Sequence, residues 1–290
     1  MTHGFQVQGS FTWSKSIDTG SMGDVGDPFN NSISNLFFFD RSLGRSVSDF
    51  DIPYNAIASV LWKVPTMKSL HGPALWTLNG WQLGAIFNTH GGLPFTPLVG
   101  GDPLGTLDNS AYAYPDRITG PGCQPAVNPG NFFQYIKTQC FTPAQAPIPT
   151  FYSANCNPAA AYPTCLNLLG NARRNSLRGP RLTTLDFSLF KNNFIRSISK
   201  PFNIQFRAEL FNAFNHPSFL PPLDNNTLFD QGGAPVGGAG LIDKTSTTSR
   251  QVQFAMKVIF RVHRRFFGNV GLVRRQEWMK SPHGSLNDVR

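Results

Sequence analysis

Charge is scarce in this 290-residue sequence: Asp, Glu, Lys and Arg make up 14% of it, against about a quarter in ordinary soluble domains. Long apolar runs are missing too. The densest, Leu36 to Phe39, is four residues long, far below the ~18 that a membrane-spanning helix needs. Helical spans are thereby excluded, whereas barrel strands alternate in polarity and leave no such run. The six histidines, His3, His71, His90, His216, His263 and His283, form no H-x-x-x-H or H-E-x-x-H pair, the spacing that sets two imidazoles on one helical face around zinc. No G-x-S-x-G, phosphate loop or dinucleotide fingerprint occurs, and the four cysteines contain no C-x2-C pair. These absences predict a protein that is not an enzyme and uses neither cofactor nor metal. A secretory signal is missing as well: Met1-Thr2-His3 leads straight into an alternating segment. A secreted barrel requires such a signal, so an N-terminal portion is expected upstream.

What the sequence does hold is aromatic side chains and turn formers. Aromatics reach 13%, with 26 Phe, beside 27 Gly and 23 Pro, a balance suited to short strands joined by loops. The formal charge of +9 is concentrated at one end. Residues 261–290 carry Arg261, Arg264, Arg265, Arg274, Arg275, Lys280 and Arg290 against only Glu277 and Asp288. The remaining body is mildly basic and holds no nucleic-acid motif, so no nucleic-acid partner is expected.

Period-two alternation predicts six strands, near 4–14, 54–64, 76–89, 183–192, 201–214 and 250–260. In the first, Phe5, Val7, Phe11 and Trp13 oppose Gln6, Gln8, Ser10 and Thr12. The second sets Tyr54, Ala56, Ala58, Val60 and Trp62 against a mixed face, and the third, clearest from Trp81, sets Leu83, Ala85 and Phe87 against Gln82, Gly84 and Asn88. Leu185, Phe187 and Leu189 oppose Thr184, Asp186 and Ser188 in the fourth. The fifth is cleanest: Phe202, Ile204, Phe206, Ala208 and Leu210 against Asn203, Gln205, Arg207 and Glu209. In the sixth, Val252, Phe254, Met256, Val258 and Phe260 face away from Gln251, Gln253 and Lys257. Each run is about ten residues, the length of a tilted strand crossing a bilayer.

The links alternate as well. Two are short, about a dozen and about eight residues, and three are long, about 40, about 90 and over 30. Short turns on one side and long loops on the other are how outer-membrane barrels are built. The expected fold is therefore all-β, an antiparallel transmembrane β-barrel segment of about six strands with short periplasmic turns and long outer loops. A soluble β-sandwich also alternates, but its strands are usually shorter. An outer-membrane structural or adhesion protein displaying long surface loops is the other alternative. In the barrel orientation Trp13 sits at the outer end of its strand and Trp62 and Trp76 flank a periplasmic turn, heights where indoles favour the interface.

Cys123, Cys140, Cys156 and Cys165 all lie in the longest link. Four cysteines allow three pairings; the nearest-neighbour set would staple two sub-loops in an oxidising compartment. Asp186, Gln205, Arg207 and Glu209 are candidates to line a lumen and meet plug or substrate, against ordinary solvation of a wet interior. Gly23, Asp24, Gly26 and Asp27 resemble a loose calcium loop but lack an EF-hand's ligand order, and such clusters are usually turns.

Three segments resemble one family. Asn171-Ala-Arg-Arg-Asn-Ser-Leu-Arg-Gly-Pro180, Glu209-Leu-Phe-Asn-Ala-Phe-Asn-His-Pro-Ser-Phe219 and Arg250-Gln-Val-Gln-Phe-Ala-Met-Lys-Val-Ile-Phe260 look like motifs of TonB-dependent outer-membrane receptors of the Oar-like kind, in order. The second holds the most recognisable residues: Glu209, Phe211, Asn212, Phe214, Asn215, His216 and Pro217. The resemblance spans roughly residues 4–260 and implies the last six strands of a barrel of about 22. It implies uptake of a scarce substrate, outer-membrane lipid around the barrel, and Phe260 as the terminal aromatic read by the barrel-assembly machinery. Plug, TonB-contacting segment and regulatory front domain lie outside this sequence. TonB contact is thus expected through an absent N-terminal part, and the chain is expected to be a gene fragment, a truncated reading frame or one subunit of a multi-chain barrel. Arg174 and Arg181 depart from the family, which has Gly there. Residues 261–290, beyond the terminal aromatic, are expected to be a disordered or non-native tail.

Overall fold

The computed structural model describes residues 4–21, 40–67, 69, 71–105, 112–146, 168–198 and 202–260, with the single positions 156, 159, 161 and 165. Six long strands dominate: β1 (Phe5–Trp13), β2 (Tyr54–Lys63), β3 (Trp81–His90), β4 (Leu182–Phe194), β5 (Asn203–Phe211) and β6 (Gln251–Ile259). They pair in chain order as one antiparallel sheet. β1 and β6 each pair on one side only, so the described residues form an open wall rather than a closed barrel. Among these residues no helix is long and apolar enough to cross a membrane.

Register makes the six alternating patterns coherent. Phe5 lies opposite Trp62 and Phe11 opposite Ala56. Ala58 then meets Phe87, Phe87 meets Leu185, Phe187 meets Leu210, and Leu210 meets Val252. Directly opposed residues share a face, so every apolar row joins the next on one side of the sheet. Slipping any pair by one residue would turn its apolar row to the other side.

Two bounds differ from the alternation by more than two residues. The third strand was expected from residue 76, but a short helix, α1 (Pro73–Leu78), occupies that stretch and β3 begins at Trp81. Pro73 stands at the first turn of the helix, where its fixed φ is favourable and its missing N–H costs nothing. Asn79 then binds the Met67 main chain from both ends of its amide, closing the turn. The fifth strand was expected through residue 214 but stops at Phe211, because Asn212 adopts φ 48° and Asn215 φ 52°. Those left-handed conformations suit Asn better than most residues and cannot continue a strand.

The three long links emerge at the same end of the sheet, and their described residues fold together into a cap. Paired two-residue segments knit it: Ile17–Asp18 with Ser46–Val47, Pro94–Phe95 with Leu177–Arg178, and Asp116–Arg117 with Phe141–Thr142. Leu98–Val99 runs parallel to Thr227–Phe229. Phe95, Leu98, Tyr135, Ile136, Leu177, Leu228 and Ile242 form its buried core. Of the buried hydrophobic residues described, only Ala208 belongs to a long strand. The apolar interior thus lies in the loops, and among the described residues no second sheet covers the apolar rows. That is the reverse of a soluble sandwich, in which two sheets seal those rows between them. Cys123 is joined to Cys140, and Cys156 to Cys165.

Candidate functional site

The apolar side of the sheet is uncovered. Phe11 is 70% exposed, Trp13 78%, Phe254 68% and Met256 73%. In water, each Å² of such surface left unburied forgoes about 25 cal/mol, and contiguous patches this wide are rare on soluble monomers. At the cap end Trp13 stands opposite Tyr54. At the short-turn end lie Trp62, Trp76 and Trp81, where the Trp81 indole Nε1 donates to the Thr77 carbonyl at 2.7 Å. Lys191 shares the apolar side there, donating to the Asn79 carbonyl with its ammonium 5.5 Å from the Trp81 ring centre. An apolar band edged by amphipathic rings is the outer surface of a membrane barrel.

The opposite side is more polar, though Ile57, Ile86 and Phe190 share it, and across β4 and β5 it is internally bonded. Asn192 Oδ1 accepts from Asn203 Nδ2 and Gln205 Nε2, both at 2.9 Å. Gln205 Oε1 accepts in turn from Arg207 Nε at 2.7 Å, and that guanidinium lies 5.1 Å from the Phe190 ring centre. Glu209 is registered between Ser188 and Gln253. Of the four candidate lumen residues, Gln205 and Arg207 therefore belong to one hydrogen-bonded chain. Asp186 does something else: its Oδ1 accepts the Asn212 main-chain N–H at 2.9 Å, closing the exit of β5.

The motif from Glu209 to Phe219 is built around that exit. Asn212 Nδ2 donates to the His216 and Thr248 carbonyls, and its Oδ1 accepts the His216 N–H. Asn215 Oδ1 accepts the Arg250 N–H at 2.9 Å, tying the turn to the start of β6. With Asn212 buried, its amide replaces the ladder bonds that the left-handed backbone gives up. His216 takes part through its main chain, Phe214 and Phe211 are exposed, and Phe260 is exposed just beyond the last paired residue, Ile259.

A second cluster was not foreseen. Arg174, noted only as a departure from glycine, is 2% exposed and binds Asp18 and Asp49, the latter at 3.0 Å. Its Nε also donates to the Gly44 carbonyl. Asn175 Nδ2 donates to the Val47 carbonyl and to Asp49 Oδ1, and Arg178 pairs with Asp51, whose Oδ1 accepts the Ser16 N–H. A buried charge is tolerated only when paired and hydrogen-bonded, and here that condition fixes the first long link against the second. Burial alone would raise the Asp18 carboxyl, but hydrogen bonds from Ser21, Ser48 and Arg174, with the charge of Arg174, outweigh it and hold the carboxyl below its ordinary range. Burial pushes the Tyr114 phenol up to about 12. Arg181 is exposed at the foot of β4. Gly23, Asp24, Gly26 and Asp27 and residues 261–290 lie outside the described residues.

No curated protein and no solved structure matches the chain. Residues 1–253 match the family described as outer membrane beta barrel domain. With six in-register strands whose apolar side stays uncovered, the chain belongs to the outer-membrane β-barrel domain family.

Proposed function

We propose that this chain is the C-terminal barrel wall of a TonB-dependent receptor, which in complete form imports a scarce substrate across the outer membrane. The observation that carries the reading is the apolar surface from Phe5 to Val258, in register across all six strands. Lipid meets that surface, and the Asn192–Gln205–Arg207 side faces a wet lumen. Unpaired strand edges are untenable in hydrocarbon, where each lone N–H or C=O costs several kcal/mol. β1 and β6 therefore pair with further barrel strands, and the plug and TonB contact belong to that remainder. The cap faces outside and the short turns face the periplasm, with Phe260 offered to the barrel-assembly machinery. The three motif resemblances support a receptor rather than a passive pore. The test is uptake in living cells. Deleting the gene, and separately the energy relay, should abolish accumulation of the same nutrient. Normal accumulation in both strains, with lost surface attachment instead, would contradict the transporter reading.

A further inference from the structure

Between the first and second long links the cap holds a cleft of about 360 Å³, within the roughly 300–1,000 Å³ range of small-molecule sites. Leu43 lines it from the first link; Tyr114, Leu169, Gly170, Asn171 and Arg173 line it from the second. Its walls are fixed. A Cβ on Gly170 would stand 2.2 Å from the Tyr114 carbonyl oxygen, so this wall is backbone packed on backbone. Asn171 is held from both sides, its Oδ1 accepting the Arg117 N–H and its own N–H reaching Asp116 Oδ1. Beneath, Arg174 locks the two links through Asp18 and Asp49.

Arg173 is the one charged side chain among the residues that line the cleft. Arg174 and Arg178 are each committed to an aspartate. Asp116 is occupied by main-chain N–H groups of Asn171 and Gln145, and Asp40 by Ser42. Among the described residues no carboxylate pairs with Arg173, which lies exposed at the rim. The side chains of Leu43, Leu169 and Tyr114 with one uncommitted guanidinium call for a ligand of matching polarity, since a planar guanidinium grips a carboxylate through two parallel N–H bonds.

We propose that this cleft binds a small amphipathic anion, a carboxylate of about phenylacetate's size, with the charge on Arg173 and the apolar body on Leu43, Leu169 and Tyr114. Its use in uptake rests on the outward-facing cap proposed above; binding itself does not. Calorimetry on the full chain in detergent, with phenylacetate, phenylacetamide and inorganic phosphate as probes, tests it. Phenylacetate should bind about tenfold or more tightly than the neutral amide, because the charge-assisted bonds vanish with the charge. R173Q, at an exposed position, should erase that preference while leaving the melting profile unchanged. Absence of phenylacetate binding, equal binding of acid and amide, an unchanged preference in R173Q, or phosphate binding as tightly as phenylacetate would each overturn the proposal. None of those outcomes touches energy-dependent uptake, so the receptor reading stands or falls separately.

Discussion

Phe95 in the cap has no exposed surface, whereas Phe254 in the sheet is 68% exposed. Both are phenylalanines in extended backbone; what differs is the solvent each region is built against. The cap packs its apolar residues inward around Phe95, Tyr135 and Leu228 and neutralises its buried charges with Asp18, Asp49 and Asp51. The sheet turns its apolar residues outward and keeps its hydrogen-bonded polar chain on the other side. One chain thus carries a cap with a buried core and a wall whose apolar side is uncovered, and substitutions should separate them.

The largest expected effect is in the cap. Arg174→Ala leaves Asp18 and Asp49 without their shared cation and should cost about 3–5 kcal/mol. Hydrogen exchange should then rise at Val47 and Asn175 while the amides of β5 stay protected; equal loosening of both regions would break the comparison. The sheet comes next. Phe254→Lys places a charge on the lipid side and should cost about 2–4 kcal/mol in a bilayer, whereas Gln253→Lys, one residue away on the polar side, should cost little. Folding titrations of the two variants in vesicles measure the difference directly.

Asn212→Ala, at the junction of the two regions, should cost about 1–3 kcal/mol, because the three bonds of its buried amide to the main chain of His216 and Thr248 are lost. Amide exchange at His216 reads it. The smallest effects are set by pH and confined to the cap. Tyr114 ionises less readily folded than unfolded, so its contribution is complete below pH 10 and is lost as pH rises from 10 to about 12. Asp18 has the opposite sign. Its depressed carboxyl favours folding above the ordinary pKa of 3.8, and that contribution disappears as pH falls below it. Phenolate absorbance in alkali and cap exchange in acid follow the two limits.

The same contrast governs what could be read from the sequence. Strand faces such as Ile204, Phe206, Ala208 against Gln205, Arg207, Glu209 were legible because a wall between lipid and water imposes period two on neighbouring residues. The cap core was not. Phe95, Tyr135, Leu177 and Leu228 come from distant stretches with no shared period. Arg174 lies 125 and 156 positions from its aspartates, and nothing local marks such a pair. α1 escaped because six residues are too few for helical periodicity to compete with alternation on either side. Asp186 and Asn212 were noticed for polarity and motif, but their joint role in ending β5 depends on a backbone turn visible only in three dimensions.

Site-directed labelling along β6, with the protein inserted in vesicles, tests the central claim most directly. Single cysteines at Gln253, Phe254, Met256 and Lys257 would each be exposed to a water-soluble thiol reagent and, as spin labels, to a lipid-dissolved relaxant. The account predicts reagent access at 253 and 257 and lipid contact at 254 and 256. Protection of 254 and 256 from both probes, in a chain that stays folded without detergent or lipid, would contradict it.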